Sequence, residues 1–131
     1  MAYLPLSTAN LPDPVIDPAQ GASPEDHFNT VLYTGNGSTN AITGVGFQPD
    51  WVWGKSRSHA LNHFLTDAVR GATETLKSNT TDAEETQSTA LTSFDSDGFT
   101  MGSSGGFNGS GYTYVAWNWK ANGSGVSNTD G

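Results

Sequence analysis

The chain has 131 residues, which suits one domain and is too short for two of ordinary size. Thirteen acidic residues against five basic ones give a net charge of −8, which disfavours nucleic-acid binding because phosphate backbones would be repelled. The absence of cysteine excludes disulfides and cysteine-based metal sites. Only 34% of the residues are hydrophobic, whereas glycine occurs 16 times, so the composition predicts an all-β chain of short strands and many turns.

The first 26 residues contain five of the six prolines and show no regular hydrophobic alternation. Proline fixes φ and biases the preceding residue toward extended conformations, so residues 1–26 predict an extended arm. This arm is either a disordered leader or a segment that becomes ordered by docking on a partner. If the arm docks on a partner, the residues that we expect to bind it are the isolated apolar ones, Tyr3, Leu4, Leu6, Val15 and Ile16. The chain shows neither a secretion signal nor the apolar length of a membrane span, so we expect no membrane insertion.

Residues 27–121 alternate between strand-like and turn-like segments and predict a β-sandwich module. In the segment 112–120 (YTYVAWNWK) both faces of the predicted strand carry aromatic residues, which favours a central place in a sheet. Residues 79–89 are polar and predict a surface loop or a single helical turn. Residues 102–111 predict a Gly/Ser-rich loop, and residues 122–131 a flexible linker. The predicted strands are 28–34, 41–47, 51–57, 63–67, 72–77, 91–94, 99–101 and 112–120. Short strands at this spacing indicate an antiparallel two-sheet sandwich or jelly roll.

Two pairs of tryptophans, Trp51 with Trp53 and Trp117 with Trp119, each lie two residues apart and therefore on one face of a strand. Exposed, they would form a platform on which sugar rings could stack. Buried, they would supply the core of a chain that has few aliphatic residues, and we favour this interpretation. We therefore expect six residues to be largely buried, namely Phe47, Trp53, Phe99, Val115, Trp117 and Trp119.

The sequence contains two weak metal-site patterns. Residues 95–98 (DSDG) begin like a calcium loop, but the twelfth position would be Gly106 rather than glutamate, and such residues form tight turns without an ion. His59 and His63 are four residues apart, which would suit zinc on a helix. However, strand-like sequence bounds their segment, no HExxH motif is present, and His27 lies far off in the sequence. We expect a hairpin turn at 95–98, and no metal or cofactor.

No catalytic residue can be assigned from the sequence. A Gly-x-Ser-x-Gly nucleophile motif is absent. Glu84 and Glu85 are adjacent in a polar loop, which does not place two carboxylates across a glycosidic bond. Asp67 and Glu74 are the carboxylates that the sequence leaves open for such a role. We expect a non-enzymatic protein, with a glycan hydrolase kept as an alternative.

Six sequence blocks together resemble a known module. They are residues 33–38 (YTGNGS), 46–53 (GFQPDWVW), 67–72 (DAVRGA), 78–81 (SNTT), 91–99 (LTSFDSDGF) and 114–121 (YVAWNWKA). In this order they resemble a module of tail-fibre and related virion proteins of bacteriophages, especially marine phages. The resemblance covers about residues 26–131 and implies a concanavalin-A-like, or laminin-G-like, jelly roll. It carries no catalytic residues.

The resemblance also implies a function and a setting. The expected function is that of a structural virion component, assembled in the bacterial cytoplasm and exposed on the particle, that mediates assembly and host attachment. Its expected partners are other virion proteins and further copies of itself, in a trimer such as fibre proteins commonly form. The alternative is a lectin-like module that recognises a host surface glycan, although the sequence does not indicate which residues would bind it.

Overall fold

The computed structural model describes residues 23–121, and this part of the chain is almost entirely β-structure, as predicted. Besides the strands it contains one 3₁₀ turn, Pro24–Asp26, and one short helix, α1, Gly105–Asn108. The strands are β1 Phe28–Thr34, β2 Asn40–Ile42, β3 Trp51–Ser56, β4 Phe64–Asp67, β5 Glu74–Thr75, β6 Glu85–Thr86, β7 Leu91–Asp95, β8 Gly98–Met101 and β9 Thr113–Trp119.

The strands form an antiparallel two-sheet sandwich with a small additional hairpin. One sheet has the order β1-β9-β3-β4 and the other has the order β2-β8-β7. Strands β5 and β6 pair only with each other, and a bridge between Leu65 and Leu76 joins their hairpin to the β4 edge of the larger sheet. Strand β9 pairs with β1 on one side and β3 on the other, which confirms the central position predicted for it.

The core lies between the two sheets and is built by period-two alternation. Its buried members are Ile42, Val52, Phe64, Ala90, Leu91, Phe99, Met101, Phe107 and Ala116. In β3, Gly54 faces this core, and the ring of Phe64 occupies the space where a Cβ atom would lie. Tyr33 and Tyr114 stack with their ring centroids 4.9 Å apart at the same interface. Burial, and then the neighbouring Tyr114, raise the pKa of Tyr33.

A buried asparagine fastens the loops at one end of the sandwich. Asn108 is fully buried, and its side-chain amide donates to the carbonyl oxygens of Ser38 and Gly102 at 2.6 and 2.8 Å. Its Oδ1 atom accepts from the backbone N–H of Asn36 at 3.1 Å. The loop predicted at 102–111 therefore contains an ordered turn of helix, because α1 places both Phe107 and Asn108 inside the molecule.

Two predicted segments differ from the observed ones for local reasons. The predicted strand 41–47 ends at Ile42, because Gly44 and Gly46 adopt φ angles of 87° and 89° and form a loop. The last residues of the predicted extended arm form the 3₁₀ turn instead. Here Ser23 and Asp26 build a capping box, and a proline at the first position of the turn suits its geometry.

Candidate binding face

The tryptophans lie on the outer face of the four-stranded sheet, and not in the core. In β9 the residues that alternate with them, Tyr114 and Ala116, are fully buried, whereas Trp117 and Trp119 are only partly buried. The expectation that Trp53, Val115, Trp117 and Trp119 form the core was therefore wrong. The expected burial of Phe47 and Phe99 is confirmed. Tyr114 and Ala116 face inward, where residues such as Phe64, Phe99 and Phe107 fill the space between the sheets.

Strand pairing brings the four indoles together, and we call this surface the tryptophan face. Trp51 lies opposite Trp119, and their ring centroids are 4.4 Å apart with an interplanar angle of 25°. Trp53 lies opposite Trp117, with centroids 5.7 Å apart at 62°. Phe28 of β1 extends the first row, with its centroid 5.0 Å from that of Trp119. The rings of Trp53, Trp117 and Trp119 line an open depression of about 270 Å³.

The rim of the tryptophan face combines apolar and polar side chains. The indole Nε1 of Trp53 donates to Nδ1 of His63 at 2.9 Å, which fixes the orientation of that ring. In the next row, Leu32, Val115 and Lys55 lie opposite one another on the three neighbouring strands. Leu32, on the edge strand β1, is 62% exposed. The face is thus apolar at its centre, with charged groups only at its edges.

One of those edges carries an ion-pair cluster around Arg70. Its guanidinium bonds Asp67 through Nε at 2.5 Å and Glu84 through Nη1 at 2.7 Å. Burial alone would raise the pKa of Asp67, but hydrogen bonds from Arg70 and its positive charge hold that pKa below its ordinary value. An ionised carboxylate that already binds an arginine is a poor proton donor at neutral pH. The geometry therefore fits a structural role that fastens the β5–β6 hairpin.

The other acidic residues named from the sequence have separate partners. Glu74 accepts from the hydroxyl of Thr86 at 3.1 Å, across the β5–β6 hairpin. Glu85 binds Lys77 at 3.0 Å, whereas its neighbour Glu84 binds Arg70, so these two carboxylates are directed at different cations. The structure thus gives each of these side chains a role in holding the hairpin.

The DSDG segment forms the hairpin turn predicted for it. Asp95 pairs with Gly98 across the β7–β8 turn, and Asp95 Oδ2 accepts from the hydroxyl of Thr100 at 2.6 Å. The carboxylate of Asp97 accepts from the backbone N–H groups of Gly44 and Gly46 at 3.0 and 2.7 Å. The hydrogen bonds from Gly46 and Gly44 hold the pKa of Asp97 below its ordinary value. Both carboxylates are thus engaged by the protein itself.

The two histidines four residues apart do not share a partner. His59 stacks on Tyr112 with ring centroids 3.5 Å apart, whereas His63 accepts from Trp53. Within residues 23–121, no group of three histidine, aspartate or glutamate side chains is arranged to hold a metal ion. The proposed arm anchors Tyr3, Leu4, Leu6, Val15 and Ile16 lie outside the described residues.

The sequence did hold a signal for the tryptophan face, which the composition argument overrode. In each of the two strands the tryptophans occupy one face, and Tyr114, Ala116 and Asn118 occupy the opposite face of β9. A small residue such as Ala116 suits a tightly packed interior. Gly54, the residue opposite it in β3, is likewise small and indicates the same interior face. Once the pairing of the strands is known, these small residues identify the face of the sheet that forms the core.

The fold and this surface define the chain as an antiparallel β-sandwich module with a partly exposed aromatic face. By sequence it belongs to the family described as a domain of unknown function, DUF7483, which matches residues 23–131. The whole of the described sandwich falls within that range. No curated protein and no solved structure matches the chain. In the described range 23–121, no helix has the length and apolar character needed to cross a membrane.

Proposed function

We propose that the chain is a non-catalytic structural component of a bacteriophage virion, a module of a tail-fibre or related appendage that contacts its neighbours through the tryptophan face. The observation that carries this proposal is the placement of all four tryptophans on the outer side of the larger sheet. The order of the six sequence blocks supports the virion setting. The two antiparallel sheets are compatible with a concanavalin-A-like arrangement, which we include in the proposal.

A contact role follows from the physical chemistry of the surface. Contiguous apolar patches on a protein surface mark interaction sites, and aromatic residues are enriched at the centres of interfaces. The same face includes Phe28, which packs against Trp119, and Leu32, in the row beyond Trp117; they are 39% and 62% exposed. Large, rigid aromatic side chains lose little conformational entropy on binding, so they supply contact area efficiently. Other virion proteins and further copies of the chain, in a trimer, are the partners that we propose.

Cryo-EM of the intact phage particle tests the virion assignment. We expect density for a two-sheet sandwich in an appendage, with the tryptophan face against a neighbouring subunit. Mass spectrometry of purified particles provides the independent check, because a structural component must be present in repeated copies. A particle that lacks the protein altogether would contradict the proposal.

A second candidate, a lectin-like module for a host surface glycan, is favoured by the open depression over three indoles. Faces of aromatic rings pack well against the C–H groups of sugar rings, and ligand sites are typically concave and mostly apolar. A glycan array probed with the full chain tests this candidate. Trp117→Ala should abolish any binding that uses the depression, while Thr92→Ala, at an exposed position of β7 in the other sheet, should leave it unchanged.

A further inference from the structure

The tryptophan face carries charges of opposite sign at its two ends. At one end Asp67 lies opposite Trp51, in the cluster where two carboxylates share the guanidinium of Arg70. At the other end are Lys55, in β3, and Arg57, just after that strand, and we call these two residues the basic end. A ligand that carries a negative charge is therefore oriented by this face, with its charge toward the basic end.

The ammonium group of Lys55 is held at the edge of the face but is not neutralised there. Alternation along β3 places Lys55 on the same side of the sheet as Trp53. Its Nζ atom donates to the backbone carbonyl oxygens of Ser56 and His59 at 3.0 and 3.5 Å. An ammonium has three N–H donors, so one remains for a ligand. No carboxylate in the range 23–121 forms an ion pair with it.

Arg57 places a second positive charge next to that of Lys55. The backbone N–H of Arg57 donates to the carbonyl oxygen of Thr113 at 2.7 Å, so the chain follows the line of β3 as far as this residue. Arg57 is exposed and, among the described residues, has no ion-pair partner. By contrast, Arg70 and Lys77 each bind two carboxylates. The two cations next to the indoles thus lack the partners that these other cations have in a strongly acidic chain.

We propose that the tryptophan face binds an anionic glycan, with a sugar ring in the depression over Trp53 and Trp117 and a carboxylate or sulfate group at the basic end. Residues on the same side of a strand are about 7 Å apart, so Lys55 lies one row from Trp53 and Arg57 lies one row further. A ring in the depression and an anionic group on that sugar or the next one are therefore bound together.

The shape and chemistry of the surface favour a sugar over a protein partner at this position. The depression of about 270 Å³ is close to the lower limit of about 300 Å³ for small-molecule pockets, and three indoles line it. The planar guanidinium of Arg57 matches the geometry of a carboxylate, to which it can donate two parallel hydrogen bonds. A concave aromatic site with cations at one side thus provides what a charged sugar ring requires.

The net charge of −8 does not prevent this binding. Salt at physiological concentration screens charges that lie more than about 8 Å away, so the nearest groups determine the field at the basic end. A nucleic acid, by contrast, presents one phosphate after another along its length and would meet the acidic parts of the surface as well. An oligosaccharide with an anionic group at one position needs only Lys55 and Arg57.

This inference rests on the second candidate function, recognition of a host glycan, and names the chemical class of that glycan. Incorporation into particles plays no part in its tests, so the virion proposal is examined separately.

Calorimetric titration of the full chain with matched oligosaccharides tests the anionic preference. The probes are the trisaccharide of galacturonic acid, the same trisaccharide after reduction of its carboxyl groups, a sulfated galactose trisaccharide and its desulfated form. We expect at least one charged form to bind about tenfold more tightly than its neutral counterpart, and the difference to vanish in about 500 mM salt. The pair that shows the difference identifies carboxylate or sulfate as the anionic group.

The other outcomes contradict the proposal in distinguishable ways. Equal affinity for the charged and neutral forms would overturn the anionic preference and leave the glycan function standing. Binding of none of the four probes would overturn both. Tighter binding of an oligoglutamate peptide than of any trisaccharide would assign the face to an acidic protein partner instead.

Substitutions at the basic end locate the site of the anionic group. The double variant Lys55→Gln with Arg57→Gln removes both charges, and Lys120→Gln removes one exposed charge beyond the opposite end of β9. We expect the affinity for the charged trisaccharide to fall about tenfold in the double variant and to stay unchanged in Lys120→Gln. Circular dichroism verifies that both variants are folded. Parental affinity for the charged trisaccharide in the folded double variant would overturn the proposal.

Discussion

The side chains of β9 divide between two environments, and the division determines what each substitution should cost. Tyr114 and Ala116 are fully buried against the second sheet, whereas Trp117 and Trp119 retain contact with solvent. The free energy gained by burying a side chain scales with the apolar area removed from water. A partly exposed tryptophan therefore contributes less to stability than its size suggests, and a buried phenylalanine contributes more.

Two alanine substitutions measure this difference. Phe99→Ala removes a fully buried ring and should lower the free energy of unfolding by about 3–5 kcal/mol. Trp117→Ala removes a partly exposed ring and should lower it by about 1–2 kcal/mol. Chemical denaturation followed by circular dichroism provides both values. If Trp117→Ala were as destabilising as Phe99→Ala, the tryptophan face would be part of the core.

Gly54 allows a test of the close packing inside the sandwich. A Cβ atom at this position would overlap the ring of Phe64, so Gly54→Ala should displace that ring and lower the free energy of unfolding by about 1–3 kcal/mol. Gly105→Ala is the matched control, because a Cβ atom there meets no atom within 4 Å. Thermal melts of the two variants give the comparison. Equal melting temperatures for Gly54→Ala and Gly105→Ala would contradict the packing described for Phe64.

Among the elements, the end of β2 depends on a residue that is distant in sequence. Asp97, in the turn between β7 and β8, binds the N–H groups of Gly44 and Gly46 and so holds the loop that follows β2. A predicted strand over 41–47 missed this because hydrophobic alternation continues through Val45 and Phe47. Only a contact between segments about fifty residues apart shows where the pairing stops.

Asp97 should also make stability depend on pH. Its hydrogen bonds hold the folded pKa below the unfolded value of about 3.9. A group of this kind contributes stability above its unfolded pKa and loses that contribution as the pH falls through the lower folded value. The parent should therefore exceed Asp97→Asn in urea midpoint at pH 7, and the difference should shrink below about pH 4. A difference that stays constant from neutral to acid pH would show that the carboxylate charge is not involved.

For the whole molecule, the sequence predicted the class of fold better than the location of the functional surface. Strand β1, the β7–β8 turn and the central place of β9 followed from alternation and turn residues, which are local signals. The orientation of β9 did not follow, because Tyr114 on one side and Trp117 on the other are both large and aromatic. Which side becomes interior depends on the second sheet, whose packing is a property of the assembled fold.

The most direct test of the tryptophan face as a virion contact is to count the copies of variant proteins in purified particles. Trp117→Ala removes one wall of the depression, and Leu32→Asp places a charge on the exposed rim without disturbing the core. With both variants folded, we predict that each is lost from the particle, whereas Thr92→Ala is incorporated at the parental copy number. Normal incorporation of folded Trp117→Ala and Leu32→Asp would contradict the assignment of this face as the virion contact.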